Sequence, residues 1–240
     1  MRIVALLSWY DESPTWLAET VASIGKVCDH LIAVDGAYAM FPGALSKPAS
    51  GPEQVETIIR VAAGSGIGCT IQQPREPWWG GEIEKRDAMF RLGETFTTSD
   101  DWYFIVDADE VISKAPSDLR RRLTESTFDV AELSLWEREA QARVAELVDT
   151  SADYRSPLRR LFRALPGLHI EQAHYVVTAT HGGVKRVLCG NRDVHTVEPA
   201  EQLWDLMLEH RRGQRTIGRL RLKDQYGQTG LIYEKVEAFT

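Results

Sequence analysis

An α/β fold with a mostly parallel sheet flanked by helices is predicted by two features of the first half of the chain. Short unbroken apolar runs, rich in strand formers, alternate with segments whose apolar residues recur at helical spacing. Polar and acidic residues follow directly on several of these runs, and open α/β sheets bind their ligands beyond the carboxyl ends of strands. The clearest case is Trp102-Tyr103-Phe104-Ile105-Val106, too short for a helix and followed at once by Asp107-Ala108-Asp109-Glu110. Two carboxylates one residue apart, with oxygen donors only, suit a hard divalent ion such as Mg²⁺ or Mn²⁺. An isolated Asp-x-Asp is also a common acidic turn, so the surrounding elements decide its meaning.

In chain order, residues 2–7 form the first buried strand, and Ser8-Trp9-Tyr10-Asp11-Glu12 is a polar loop at its carboxyl end. Ser13 and Pro14 mark a helix start, with the proline at the first helical position. Trp16, Leu17, Val21 and Ile24 continue it, and Gly25 closes it. Leu31-Ile32-Ala33-Val34 is the next strand and ends in Asp35-Gly36, completing a strand–helix–strand unit that is right-handed by strong general preference. Residues 37–52, rich in Gly, Pro, Ser and Ala, read as a mobile loop. A helix over 53–63, a short strand over 69–72, a loop over 74–81 and a helix over 82–92 lead to the Asp107 strand. Alternation of this kind marks the nucleotide-binding half of an α/β fold.

The chain has 240 residues, 43% hydrophobic and 26% charged, which is ordinary for a soluble globular protein. Its formal net charge of −7 offers no electrostatic reason for a nucleic-acid backbone as the main partner. Cys28, Cys69 and Cys189 lie far apart, so neither a disulfide framework nor a zinc ribbon is indicated. The apolar run 3–7 is too short for a signal peptide or a membrane span, which predicts a cytoplasmic protein with no stable membrane insertion.

Three strand ends deliver polar groups to one edge: Ser8 to Glu12, Asp35, and Asp107 with Asp109. With these residues the region resembles the GT-A glycosyltransferases of the nucleotide-sugar-dependent, family-two type. The resemblance implies a Rossmann-like sheet and a nucleotide-sugar site that includes Ser8, Tyr10, Glu12, Asp35, Arg86, Asp107 and Ala108. It further implies that Asp35 holds the uracil or ribose, that Asp109 binds a metal ion directly, and that Asp107 sits nearer the ribose and reaches the metal through water. Arg86-Asp87 stands where the family carries Arg-Asn, so its second residue departs from the pattern. Taken alone, Asp35 also reads as a turn residue before glycine, and Arg86 as a solvated helix-face residue in a charged run.

Beyond Glu110 the pattern becomes more helical and irregular. A helix is predicted from Pro116-Ser117-Asp118 through Leu123, and Phe128 to Trp136 alternates as a half-buried strand. In the resembled family the acceptor half begins near here and supplies a carboxylate base to the acceptor hydroxyl. Glu137 is the candidate, and each of Glu132, Glu137, Glu139 and Glu171 also reads as an ordinary surface residue. Residues 159–174 are similar to the family's Arg-Leu-Phe-Arg … Gly … His segment, although Tyr175 stands where Glu usually follows His174. A histidine from the carboxyl-terminal part completes the metal site in many GT-A enzymes. His195 matches it, with His181 as the rival, and an imidazole ligand favours Mn²⁺ over Mg²⁺. Leu203, Trp204, Leu206, Met207 and Leu208 at helical spacing predict a helical tail that turns basic from Arg211 to Lys223.

These expectations amount to one GT-A-type domain, with a nucleotide-sugar-binding half over 1–112 and an α+β acceptor-side half over 113–240. The activity implied is transfer of a hexose from a UDP- or GDP-sugar to an acceptor hydroxyl, with inversion. The acceptor classes are a glycan, a lipid-linked saccharide, a protein or a modified nucleobase. The competing readings are a haloacid-dehalogenase-like phosphatase with Asp107 as nucleophile, and an inactive sugar-nucleotide-binding relative.

Overall fold

A computed structural model describes residues 1–137, 154–172, 176–181, 183–190, 196–210, 220–221 and 232–233. The first half alternates as β1 (Ile3–Ser8), α1 (Pro14–Ile24), β2 (His30–Val34), α2 (Pro52–Gly64), β3 (Gly68–Gln72), α3 (Gly81–Glu94) and β4 (Trp102–Asp107). Next come β5 (Glu110–Lys114), α4 (Leu119–Glu125), β6 (Val130–Glu137) and β7 (Tyr154–Arg163). The chain continues through β8 (His169–Gln172), β9 (Val176–His181), β10 (Val184–Cys189) and β11 (Glu201–His210). The pair β12 (Leu220–Arg221) and β13 (Ile232–Tyr233) is antiparallel.

An eight-stranded sheet runs in the order β3-β2-β1-β4-β7-β6-β11-β5. From β3 to β4 every ladder is parallel; beyond β4 the sheet is mixed, with β7 antiparallel to both β4 and β6. The expectation of a mostly parallel sheet therefore holds for the first four strands, and the whole sheet is α/β and mixed. Strands from both sides of residue 112 belong to it. Only Ala108 and Asp109 link β4 to β5, yet β5 is the far edge strand. A two-residue link spans at most about 10 Å, so the sheet must curl to bring its edge back beside the end of β4.

The unbroken apolar runs follow from burial on both faces. One face of β1, β2 and β4 sends Ile3, Ala5, Leu7, Leu31, Ala33 and Phe104 into a core shared with α1, α2 and α4. The alternate residues Val4, Leu6, Ile32, Val34, Tyr103 and Ile105 form a second core with Met89 and Phe90 of α3 and with β8 and β9. Each Val, Leu, Ile, Phe or Met side chain among them, when fully buried, contributes about 1.5–3 kcal/mol of hydrophobic stabilisation. α3 lies close against the sheet because residue 93 is glycine: a Cβ there would come within 2.5 Å of the Tyr103 ring.

Two expectations are corrected. The segment predicted as a helix from Leu203, Leu206 and Leu208 is strand β11. Its register shifts between Leu203 and Met207 against β6, where β11 accommodates three extra residues, and the buried set passes from odd to even positions. Leu203, Leu206 and Leu208 are all fully buried while Trp204 points outward, and a spacing of three across a bulge imitates a helical turn. The irregular stretch expected after Glu110 is in part β5, paired antiparallel with β11.

Candidate functional site at the carboxyl edge of the parallel strands

The strands β1, β2 and β4 end level. Ser8 pairs with Val34 on one side and with Asp107 on the other, so the segments that follow leave from one edge of the sheet. The segments that carry Ser8, Tyr10 and Glu12, Asp35, and Asp107, Ala108 and Asp109 all leave from or end at that edge. Arg86 joins them from the first turns of α3, where its Nη2 donates to Asp107 Oδ1 at 2.8 Å. Arg86 is buried, with its Nε on Glu82 Oε1 at 2.8 Å, so it is not a solvated helix-face residue.

Asp35 is fully buried, and the chain itself supplies its hydrogen bonds. Its Oδ1 accepts from Gly36 N and Ser50 Oγ, both at 2.6 Å. Its Oδ2 accepts from Ser50 N at 2.7 Å and Gln73 Nε2 at 3.0 Å. Here the carboxylate organises the loops around it. Ser50 Oγ also accepts from Asp11 N at 2.8 Å, and Tyr10 donates its hydroxyl to Lys47 O at 2.8 Å. The 37–52 segment, expected to be mobile, is thus pinned at Lys47 and Ser50. Trp78 closes the arrangement, donating Nε1 to Asp35 O at 2.7 Å. Gly36 has φ +117°, and a Cβ there would meet Trp78 Nε1 at 2.6 Å, which explains the glycine after Asp35.

Asp107 is clamped between two guanidinium groups. Arg86 takes Oδ1, and Arg160 Nη2 lies 2.8 Å from Oδ2. Arg160 also reaches Glu110 Oε1 at 2.7 Å, and Glu110 Oε2 accepts from Asp107 N at 2.9 Å. Burial pushes the Glu110 carboxyl above the usual range, with the Arg160 charge pulling it back. Ala108 is buried, and its carbonyl accepts from Thr20 Oγ1 at 3.2 Å, so it faces α1 and the core. Asp109 is half-buried in the two-residue turn between β4 and β5.

The helix α3 carries a third charged group that sequence reasoning missed. Lys85 is buried, with Nζ 2.6 Å from Trp9 O and 2.8 Å from Gly36 O. Asp87, the departure from the resembled Arg-Asn pair, accepts from Ile170 N at 2.6 Å and ties β8 to α3. No motif signals these roles; they depend on which strand ends the helix crosses.

Of the carboxylates weighed beside Glu137, Glu132 pairs with Arg159 at 2.8 Å and Glu171 pairs with Lys185 and His169. Glu137 closes β6, but its side chain lies outside the described residues, as does that of His181. Glu139, His174, His195 and the basic residues Arg211, Arg212, Arg215 and Arg219 are also outside them. Among the described residues no group of three or more His, Cys, Asp and Glu side chains is arranged to hold a metal ion. Mg²⁺ sites that use substrate phosphates need only one or two protein carboxylates; Asp107 already has a guanidinium on each oxygen, so of the two aspartates Asp109 is the one to compare with that donor set. No helix of the described residues is long and apolar enough to cross a membrane.

Compared with known proteins, the chain matches no protein-family model and no curated protein.

Proposed function

We propose that the chain is a metal-dependent glycosyltransferase of GT-A type that moves a hexose from a UDP- or GDP-sugar to an acceptor hydroxyl with inversion. The observation that carries this reading is the level ending of β1, β2 and β4, which gathers Ser8–Glu12, Asp35 and Asp107–Asp109 at one sheet edge. Nucleotide ligands of open α/β sheets bind in that position.

In this reading the segment after β1 and the pinned 37–52 loop form the walls against the nucleoside, with Asp35 fixing their shape from below. Asp109 holds the ion, Asp107 stands behind it, and His195 is the proposed carboxyl-terminal ligand, which favours Mn²⁺ over Mg²⁺. The ion, when bound, supplies Lewis-acid stabilisation of the charge that develops on the departing diphosphate. Arg86 and Arg160 hold the Asp107 carboxylate in one orientation. Glu137 is proposed to accept the proton of the attacking hydroxyl, from the strand end next to Tyr154 and His210 in the sheet.

The clamp disfavours the phosphatase reading. A carboxylate with a guanidinium on each oxygen at 2.8 Å is a weakened nucleophile toward phosphorus. The test is release of free nucleotide from a panel of UDP- and GDP-hexoses in Mn²⁺, with and without candidate acceptors. Release that stops in Asp109→Ala supports the transferase; release of inorganic phosphate from simple phosphomonoesters, lost in Asp107→Asn, would replace it with the phosphatase.

A further inference from the structure

Lys85 is a buried charged residue that the proposed chemistry does not use. Its ammonium reaches across the sheet edge to two main-chain carbonyls, Trp9 O at the exit of β1 and Gly36 O at the exit of β2. A third direction faces the Tyr38 ring, whose centroid lies 5.5 Å from Nζ. The two bonded carbonyls belong to the segments that begin the Ser8–Glu12 loop and the Asp35–Gly36 turn. One side chain therefore ties together the two segments that leave β1 and β2 at the candidate site.

We infer that Lys85 is a positioning residue of the donor pocket, and that an anionic nucleotide diphosphate binds to the form of the protein in which Lys85 is protonated. This rests on the donor-site reading above. The physical argument has two parts. A protonated ammonium donates charge-assisted hydrogen bonds to both carbonyls, whereas a neutral amine, with two N–H donors still able to reach them, makes weaker bonds. A bound diphosphate also adds negative charge near a buried cation in a low-dielectric setting, which favours the charged form.

The groups around Lys85 balance it close to neutrality. Its pKa is lowered to about 7, with burial as the largest cause and Arg86 adding to it, while Asp35, Glu12 and Glu82 oppose the decrease. Tyr38 contributes its ring face, which also favours a cation. A ligand bringing negative charge therefore meets a group poised to take up a proton, and binding and protonation become linked.

The experiment is calorimetric titration of UDP and of GDP, each with Mn²⁺, into the intact protein at pH 7.0, 7.5, 8.0 and 8.5 in two buffers of different ionisation enthalpy. The expected result is proton uptake on binding and affinity that weakens roughly tenfold from pH 7 to pH 8.5, as the protonated fraction falls. Lys85→Arg, which keeps a fixed charge, should give a flat profile with no proton uptake. Lys85→Met should bind at least tenfold more weakly at pH 7. Because the wild-type profile needs no variant, misfolding of either substitution leaves the test intact. Tight binding with a flat wild-type profile and no proton uptake overturns the inference about Lys85 alone. Absence of binding by either nucleotide at every pH overturns the donor-site reading, and this inference with it.

Discussion

Arg160 Nη2 lies 2.8 Å from Asp107 Oδ2, although 53 positions of sequence separate the two residues. The contact is made because β7 runs antiparallel beside β4, so a strand from the second half of the chain returns a buried guanidinium to the acidic end of the first. The same nitrogen serves Glu110, and Arg86 holds the other oxygen of Asp107 from α3. The acidic motif is thus part of a buried ionic network as well as the end of a strand.

Removing Arg160 leaves the buried Glu110 and the Asp107 carboxylate short of a cation. Breaking a buried pair by deleting one partner typically costs about 3–5 kcal/mol. Arg160→Leu should lower the unfolding free energy by that amount in urea, with the midpoint shifted and the slope unchanged. A loss below about 1 kcal/mol would mean that the network is not a stabilising unit.

Ser50 relays Asp11 to Asp35 through one hydroxyl, accepting from the Asp11 amide and donating to Asp35 Oδ1. Ser50→Ala leaves a fully buried carboxylate oxygen with one donor fewer and should cost about 1–3 kcal/mol. UDP or GDP affinity should fall with it, because the 37–52 loop loses its anchor. Unchanged stability with unchanged affinity would show that the relay is incidental.

At Gly36 a side chain is refused twice. The backbone sits at φ +117°, and a Cβ would fall 2.4 Å from Pro74 Cγ as well as against the Trp78 indole nitrogen. Gly36→Ala should destabilise the fold by about 1–3 kcal/mol and disturb the Trp78 bond to Asp35 O. Trp78 is buried, and Trp79 beside it is 67% exposed. A change in tryptophan emission at temperatures well below unfolding is therefore the convenient readout, and an emission spectrum identical to wild type would contradict the prediction.

Stability should rise between pH 7 and pH 9 and fall above it. The folded pKa of Lys85 is lowered to about 7 from 10.5, so across that interval the unfolded chain binds more protons and unfolding becomes harder as pH rises. The gain is on the order of 2 kcal/mol from pH 7 to pH 9. Burial raises the thiol pKa of Cys28, Cys69 and Cys189 above 9.0, Cys69 to about 11. Above pH 9 the unfolded chain loses those protons first and stability declines. Urea titrations at each pH check this, and Lys85→Met should remove the rise while leaving the decline.

The parallel half of the sheet is legible in the sequence because burial on both faces leaves no polar residue inside β1, β2 or β4, while the residues that follow them are polar. The second half is less legible for a physical reason visible in β11. A bulge shifts the pairing between Leu203 and Met207, and the buried leucines then recur at a spacing that belongs to helices. Asp35, Asp107 and Asp109 can be found from strand endings alone. Lys85, Ser50 and Arg160 cannot, because their roles come from contacts 76, 15 and 53 positions away along the chain. Charged residues inside an amphipathic helix ordinarily mark its solvent face, and in α3 Lys85 and Arg86 are buried instead.

The most direct measurement is calorimetric titration of UDP and GDP into the protein in Mn²⁺ and in EDTA, beside Asp109→Ala. The account predicts that one nucleotide binds in Mn²⁺, that EDTA abolishes or strongly weakens the binding, and that Asp109→Ala does the same while remaining folded. Binding that is indifferent to both metal and Asp109, or no binding of either nucleotide, would contradict a metal-dependent donor site at the end of β4.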